Sequence, residues 1–160
     1  MMNRQDRSIQ QRAIERLIGE HGPRALARMS TEQLQEHLRG ELSRELEEQH
    51  GVLEADRLQR IQRDLIGLGP LEPLLADVKV GDILVNGADA IWYEREGRLY
   101  RSEQCFEDEA HLMRIMDRLI SRSGRRIDES SPMADARLPD GSRVNAVVRP
   151  AAVDGPQLSI

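Results

Sequence analysis

Apolar residues in the first part of the chain recur at helical spacing, in narrow stripes flanked by Arg and Glu. The stripes cover residues 4–20, 30–51 and 53–66. Such stripes are typical of amphipathic helices, and Ser30 with Gln33 has the spacing of a capping box at the start of the second helix. We therefore expect a small helical bundle or hairpin over residues 1–66. It is either a partner-docking module or a solvated helical appendage.

The pattern changes to strands after Gly67-Leu68-Gly69-Pro70, which we take as the boundary between two domains. Short β-branched and aromatic runs with hairpin-turn signals predict a β-meander. These runs cover residues 82–87, 90–95 and 98–101. An amphipathic helix opened by acidic Glu107 to Glu109 follows, then a loop at 127–133. Residues 67–160 are therefore predicted to form an α+β domain: a meander, one packed helix and a further β-hairpin.

The further hairpin is predicted at residues 135–145. Pro139-Asp140-Gly141 supplies the turn, because Pro presets φ, Asp can accept a hydrogen bond from the backbone ahead of it, and Gly accepts positive φ. Arg137 and Arg143 lie on either side of this turn, so both guanidinium groups can project from one piece of sheet. Two rigidly held arginines suit a phosphate group. The alternative is a surface hairpin with ordinary salt bridges.

A second group of arginines follows helical spacing. Arg114, Arg118 and Arg122 are four residues apart, and Arg125 and Arg126 continue the positive charge. A cationic stripe of this kind is usually a solvated helix face. The alternative is a surface that binds an acidic partner or a layer of anionic lipid headgroups.

The composition is polar for one compact domain, with 39% hydrophobic and 32% charged residues and a mean hydropathy of −0.57. This balance suggests that part of the chain is exposed helix. The aromatic residues all lie between residues 92 and 106. We therefore expect the main core to be centred there, with aliphatic side chains filling the rest.

Several classes of protein are excluded. The net charge of −5 argues against a general nucleic-acid binder, and the single lysine, Lys79, is not in a P-loop context. The single cysteine, Cys105, excludes an intrachain disulfide and a cysteine-rich zinc site, and the dispersed histidines predict no metal site. No apolar run approaches the length of a membrane span and no signal peptide is visible, so a cytosolic protein is expected.

Five segments, in this order, carry a resemblance to a known family: Gly67 to Leu75, Ile83 to Gly87, Gly124 to Glu129, Asp135 to Asn145 and Asp154 to Ile160. The chain resembles the N-terminal domain of the ATPases of type II and type IV secretion systems, in particular the CpaF-like ATPases that drive assembly of Flp (Tad) pili. Residues 1–66 resemble the helical N-terminal extension of the family only in type.

The resemblance implies a hexameric motor in which a RecA-like domain with Walker motifs follows Ile160. It implies that ATP and Mg²⁺ bind in the full-length protein, and that arginines of the N-terminal domain reach the nucleotide phosphates. The candidates are Arg143, then Arg137, with a role in stabilising γ-phosphate charge and coupling nucleotide state to domain closure. Arg149-Pro150 stands where relatives commonly have two prolines, so Arg149 either adds charge near the cleft or points to solvent.

From this resemblance we expect a cytoplasmic protein at the inner face of the bacterial inner membrane. Its expected partners are its own ATPase domain, neighbouring subunits of the hexamer and inner-membrane pilus platform proteins. No contact with nucleic acid is expected. We expect residues 1–160 alone to show no ATPase activity, since they lack Walker motifs, and to hold no catalytic residue, metal or tightly bound cofactor. The rival hypothesis is a stand-alone, non-enzymatic adaptor that docks an acidic protein or membrane surface through the arginines of residues 114–126.

Overall fold

The computed structural model describes residues 4–50 and 55–160. The chain divides into two compact units, the helical Met2–Gly67 and the α+β Leu68–Ile160. No helix among the described residues is both long enough and apolar enough to cross a lipid bilayer.

The helical unit is built from the amphipathic stripes. Its helices are α1 (Arg4–His21), α2 (Pro23–Leu26), α3 (Thr31–His50) and α4 (Ala55–Ile66). The predicted capping box is confirmed: the Ser30 N–H donates to Gln33 Oε1 at 2.9 Å, and the Gln33 N–H donates to Ser30 Oγ at 3.2 Å. The short helix α2 was not predicted. It begins at Pro23, directly after the glycine that ends α1, because proline is well suited to a first helical position. The predicted helix start at Leu53 lies outside the described residues.

Aliphatic side chains from α1, α3 and α4 form the core of this unit. They are Ile9, Ala13, Leu17, Leu38, Leu42, Leu46, Leu58 and Ile61. Charged groups are buried beside them: Asp6 is completely buried and pairs with Arg57 at 2.7 Å, while Glu45 pairs with Arg16 at 2.9 Å. The narrow apolar stripes are thus supplemented by ion pairs that join α1 to α4 and α1 to α3.

The α+β unit begins with a 3₁₀ turn at Gly69–Leu71. The rest of the unit is one β-sheet with a helix packed on it. The elements are α5 (Glu72–Leu75), β1 (Val80–Asn86), β2 (Ile91–Arg95), β3 (Arg98–Arg101), α6 (Glu109–Ser121), β4 (Met133–Arg137), β5 (Arg143–Val147) and β6 (Gln157–Ser159). The strands form one sheet in the order β3-β2-β1-β6-β5-β4, and every neighbouring pair is antiparallel. The α+β fold, with a meander, one packed helix and a further hairpin, is confirmed.

The last strand, β6, joins the two halves of the sheet. It lies between β1 and β5, and Ser159 pairs with Leu84 on one side and Asn145 on the other. This insertion carries the β4–β5 hairpin into the same sheet as the meander.

Helix α6 covers the inner face of the sheet. Asp108 caps it by accepting a 2.7 Å hydrogen bond from the His111 N–H, and its apolar stripe is buried against β4 and β5. The core is not centred between residues 92 and 106 as expected, but is formed by buried residues from Leu71 to Leu158. Phe106 is buried at 1% exposure, but Tyr100 is 42% exposed and Trp92 is only half-buried. Strands β2 and β3 lie at the far edge of the sheet from β4 and β5, where α6 packs, so the core is mainly aliphatic.

Candidate functional site

The β4–β5 hairpin closes as its turn residues predict. The Leu138 N–H donates to the Ser142 carbonyl at 2.9 Å, and Asp140 Oδ1 accepts from the Ser142 N–H at 2.9 Å. Gly141 has φ 96°, a conformation that a residue with a Cβ rarely adopts. The turn therefore fixes the register of the strands that carry the candidate arginines.

This register places Arg137 directly opposite Arg143. Residues opposite each other in an antiparallel pair share a face of the sheet, with Cβ atoms about 4.5–5.5 Å apart. Val144 and Ala146 are buried on the inner face, and the alternation of a strand turns Arg137 and Arg143 to the outer face, where both are exposed. The prediction that both arginines project from one piece of sheet is thus what the structure shows.

Neither arginine of this pair forms an ion pair with a carboxylate among the described residues. Within residues 4–50 and 55–160, the ion pairs of the molecule involve other arginines. The carboxylate nearest along the outer face belongs to Asp135, whose Oδ1 accepts a 3.0 Å hydrogen bond from Asn145 Nδ2. Two like charges placed opposite each other repel and reduce strand-pair stability, so the pair favours an added anion.

A cleft of about 490 Å³ lies beside Arg143. Its lining includes apolar residues such as Leu75 and Ile83, together with three aspartates, Asp82, Asp135 and Asp140. Ser159 and Ile160 line the same cleft. The negative charges of these aspartates partly offset the positive charge of Arg143 and repel an anion. This unit alone therefore makes a weak anion site. A phosphate held here needs further cationic or N–H donors.

Arg149 lies apart from the other two candidates. It follows the far end of β5, a strand of five residues, which places it more than about 13 Å from Arg143 along the sheet. Its Nε lies 3.8 Å from Glu109 Oε1, so its charge is partly offset. The structure brings Arg137 and Arg143 together and does not bring Arg149 to them.

Sequence reasoning missed two features of this site. It did not single out Asp135 and Asn145, although they are the next opposed pair on the outer face beyond the arginines. The available signal was that the two residues of this pair are equally far in sequence from Asp140, as Arg137 and Arg143 are. It also missed the cleft, because that depends on β6. Among the described residues, no cluster of three or more His, Cys, Asp or Glu side chains could hold a metal ion.

The family model for "Type II/IV secretion system protein" matches residues 64–155, more than half of the chain. The chain belongs to this family. The match contains the whole β4–β5 hairpin, and it confirms the resemblance to type II and type IV secretion proteins. The narrower resemblance to CpaF-like pilus ATPases stays a prediction.

Relatives of this secretion-family chain are longer than it is. A putative conjugal transfer protein of Mycobacterium tuberculosis is 36% identical over 109 residues, which cover 64% of this chain and 31% of the relative. An uncharacterised protein of Methanocaldococcus jannaschii is 38% identical over 89 residues, covering 54% of this chain and 16% of that protein. The chain thus spans about a third of the length of the mycobacterial relative and about a sixth of the length of the Methanocaldococcus relative.

A solved structure that matches part of this chain is the VirB11 ATPase from the Brucella suis type IV secretion system, in complex with sulphate. It is 26% identical to this chain and covers 56% of it, with a TM-score of 0.48. The match takes in 28% of the VirB11 chain.

Proposed function

We propose that this secretion-family chain is the N-terminal domain of a hexameric ATPase that powers the assembly of Flp (Tad) pili. In this proposal Arg143 and Arg137 contact the ATP phosphates across a cleft shared with a RecA-like domain. The family match supports a secretion-type protein, and the opposed pair of exposed arginines on the matched hairpin is the observation that carries the nucleotide role.

The chemistry of the pair suits transfer of a phosphoryl group. A guanidinium group offers a planar fork of N–H donors that matches phosphate oxygens, and its charge is permanent. Arginines supplied to such a site stabilise the charge that develops on the γ-phosphate, and can contribute a factor of about 10³–10⁵ in rate. When bound, ATP with Mg²⁺ supplies the phosphoryl group that is transferred; this chain supplies the fixed positive charges beside it.

The proposal requires a second domain. The only lysine is Lys79, which is not in a P-loop. The negative charges of the three aspartates in the cleft also partly offset the positive charge of Arg143. The nucleotide cradle and the magnesium ligands are therefore assigned to the RecA-like domain.

Among the three candidates, the geometry favours Arg143, then Arg137, over Arg149. Arg143 lines the cleft and Arg137 stands opposite it. Arg149 is engaged with Glu109 beyond the other end of β5. We assign the protein to the cytoplasmic side of the inner membrane, with pilus platform proteins and neighbouring subunits as partners.

The test is ATP turnover by the full-length protein. Arg143→Gln should lower turnover at least about tenfold while the protein still folds, because arginine contributions of this kind are large. Arg98→Gln is the matched control: it removes one exposed positive charge from β3, at the opposite edge of the sheet. Unchanged turnover in the Arg143 variant, or an equal loss in the control, would contradict the nucleotide role.

A further inference from the structure

Strand β4 lies at the end of the sheet and has an open edge. It pairs with β5 on one side, and no strand of the sheet lies on its other side. The Leu138 N–H donates to the Ser142 carbonyl, and the Val148 N–H donates to the Pro132 carbonyl. Because hydrogen-bonded and non-hydrogen-bonded pairs alternate along an antiparallel ladder, the even-numbered residues of β4 direct their backbone N–H and C=O groups toward β5. The odd-numbered residues direct theirs to the open edge: Met133, Asp135 and Arg137.

The open edge carries two opposite charges. Asp135 and Arg137 are both exposed on the outer face of the sheet. Among the described residues, the ion pairs are formed by other arginines than Arg137. The Asp135 carboxylate accepts a hydrogen bond from Asn145 through Oδ1, so Oδ2 can accept from another donor. One carboxylate and one guanidinium group therefore stand beside backbone groups that have no partner strand.

This edge can pair with a second copy of itself about a two-fold axis. The odd-numbered residues must then form the hydrogen-bonded pairs, and three axes near the middle of β4 meet this condition. An axis at Asp135 places that residue opposite its own copy, where like charges repel. An axis at Ala134 places Asp135 opposite Met133 of the second copy, which forms no ion pair. An axis at Ala136 places Asp135 of each copy opposite Arg137 of the other. The charges thus select the axis at Ala136.

We propose that two copies of this chain pair through their β4 edges, with the two-fold axis at Ala136. Asp135 and Arg137 of opposite copies share a face of the joined sheet, so their side chains form two ion pairs. Each of these residue pairs also exchanges two backbone hydrogen bonds. The two Ala136 residues form a non-hydrogen-bonded pair, in which Cα atoms approach to about 4.5 Å, and their small side chains permit this approach.

The order of the charges favours a second copy over an unrelated strand. An antiparallel partner needs an arginine opposite Asp135 and an acidic residue opposite Arg137, and the chain itself supplies both. The contact is isologous, so it closes on two copies and is separate from the contacts of a hexameric ring. It also engages Arg137, so in the paired state this arginine is withheld from the phosphate contact proposed above. The alternative is that the charges protect the edge from any pairing, which predicts a monomer.

The test is sedimentation equilibrium of the 160-residue chain over a concentration series. The parent chain should dimerise. Arg137→Asp and Asp135→Arg should each weaken dimerisation at least about tenfold, since exposed ion pairs are worth up to about a factor of five each and both become repulsive. An equimolar mixture of the two variants should associate again, because every charge then faces its opposite. Arg98→Asp makes the same charge change on β3, at the other edge of the sheet, and should dimerise like the parent. Circular dichroism checks that every variant folds.

Cross-linking tests the register, in a Cys105→Ser background that removes the native thiol. Ala136→Cys should form a disulfide between copies, because a Cα separation of about 4.5 Å lies within the range of about 4.4–6.8 Å that a disulfide spans. Met133→Cys is the control: this position is 62% exposed, but the register separates its two copies by about 20 Å along the strands.

The proposal is supported if the parent chain dimerises, the two charge-reversed variants associate only when mixed, and Ala136→Cys cross-links more readily than Met133→Cys. It is overturned if the parent chain is a monomer throughout, if Arg98→Asp weakens the dimer equally, if the mixed variants stay apart, or if the two cysteine variants cross-link equally. None of these measurements uses ATP, so their failure is distinguishable from failure of the nucleotide role.

Discussion

Removing Arg57 should destabilise the helical unit, because it leaves a buried carboxylate without its main counterion. Asp6 in α1 is completely buried, and its Oδ1 accepts from Arg57 Nε of α4 at 2.7 Å. The Arg57 side chain is 10% exposed. A buried pair with this geometry holds α1 and α4 in register, and each partner is costly to bury without the other.

The magnitude follows from what remains after the change. Removing one partner of a buried ion pair typically costs about 3–5 kcal/mol. Arg60 Nη2 lies 3.6 Å from Asp6 Oδ2 and its side chain is 45% exposed, so it can compensate in part. We therefore expect Arg57→Met to lower the free energy of unfolding by about 2–4 kcal/mol. Arg39→Met, an exposed arginine on α3, should change it by less than about 0.5 kcal/mol.

The assay is urea unfolding followed by circular dichroism at the helix band. The Asp6→Leu/Arg57→Met double variant decides the interpretation. When both partners of a buried pair become apolar, the cost of desolvating charge disappears and stability is often restored or improved. If the double variant is at least as destabilised as Arg57→Met alone, the loss reflects packing and not the loss of the buried ion pair, and the reasoning is refuted.

Two further predictions concern the same unit. Ser30→Ala should cost about 1 kcal/mol of unfolding free energy, since the Gln33 N–H loses its acceptor; Ser30→Thr, which keeps the hydroxyl, is the control, and equal loss in both would contradict a capping role. The exposed Arg16 lowers the pKa of Glu48, mainly through their hydrogen bond. The stability from this pair is therefore present above the unfolded pKa of Glu, about 4.3, and is lost as pH falls through the lower folded pKa. Urea unfolding of Arg16→Gln should show a weaker loss of stability in that acid range than the parent chain, and identical slopes would refute it.

Local chemistry made the elements of this fold predictable. Ser30 and Gln33 mark a helix start through two hydrogen bonds between neighbours in sequence, and Asp140 and Gly141 mark a turn through one such bond and one positive φ. The sheet order was not predictable in this way. The pairing of Ser159 with Leu84 joins residues far apart in the chain, and no short-range preference encodes it.

The difference between local and long-range interactions also explains why side-chain burial was predicted less well than the helices and strands. The prediction of a core centred between residues 92 and 106 rested on the aromatic residues there, which include Trp92 and Tyr100. Burial in a sheet, however, depends on which strands the helix covers, and α6 packs against β4 and β5. The opposed arginines were predictable because the hairpin turn alone sets their register, while the position of Arg149 depends on the length and direction of β5.

One pair of strands joins the two candidate nucleotide-contacting arginines to helix α6. Arg137 and Arg143 occupy the outer face of β4 and β5, and α6 packs against the inner face of the same strands. Ala134, Val144 and Ala146 are buried on that inner face, and the two small alanine side chains let the helix approach the sheet. Close-packed contacts transmit displacement instead of absorbing it. A displacement of α6 would therefore act on the strands that hold Arg137 and Arg143, and by linkage an anion held at those arginines would act on α6.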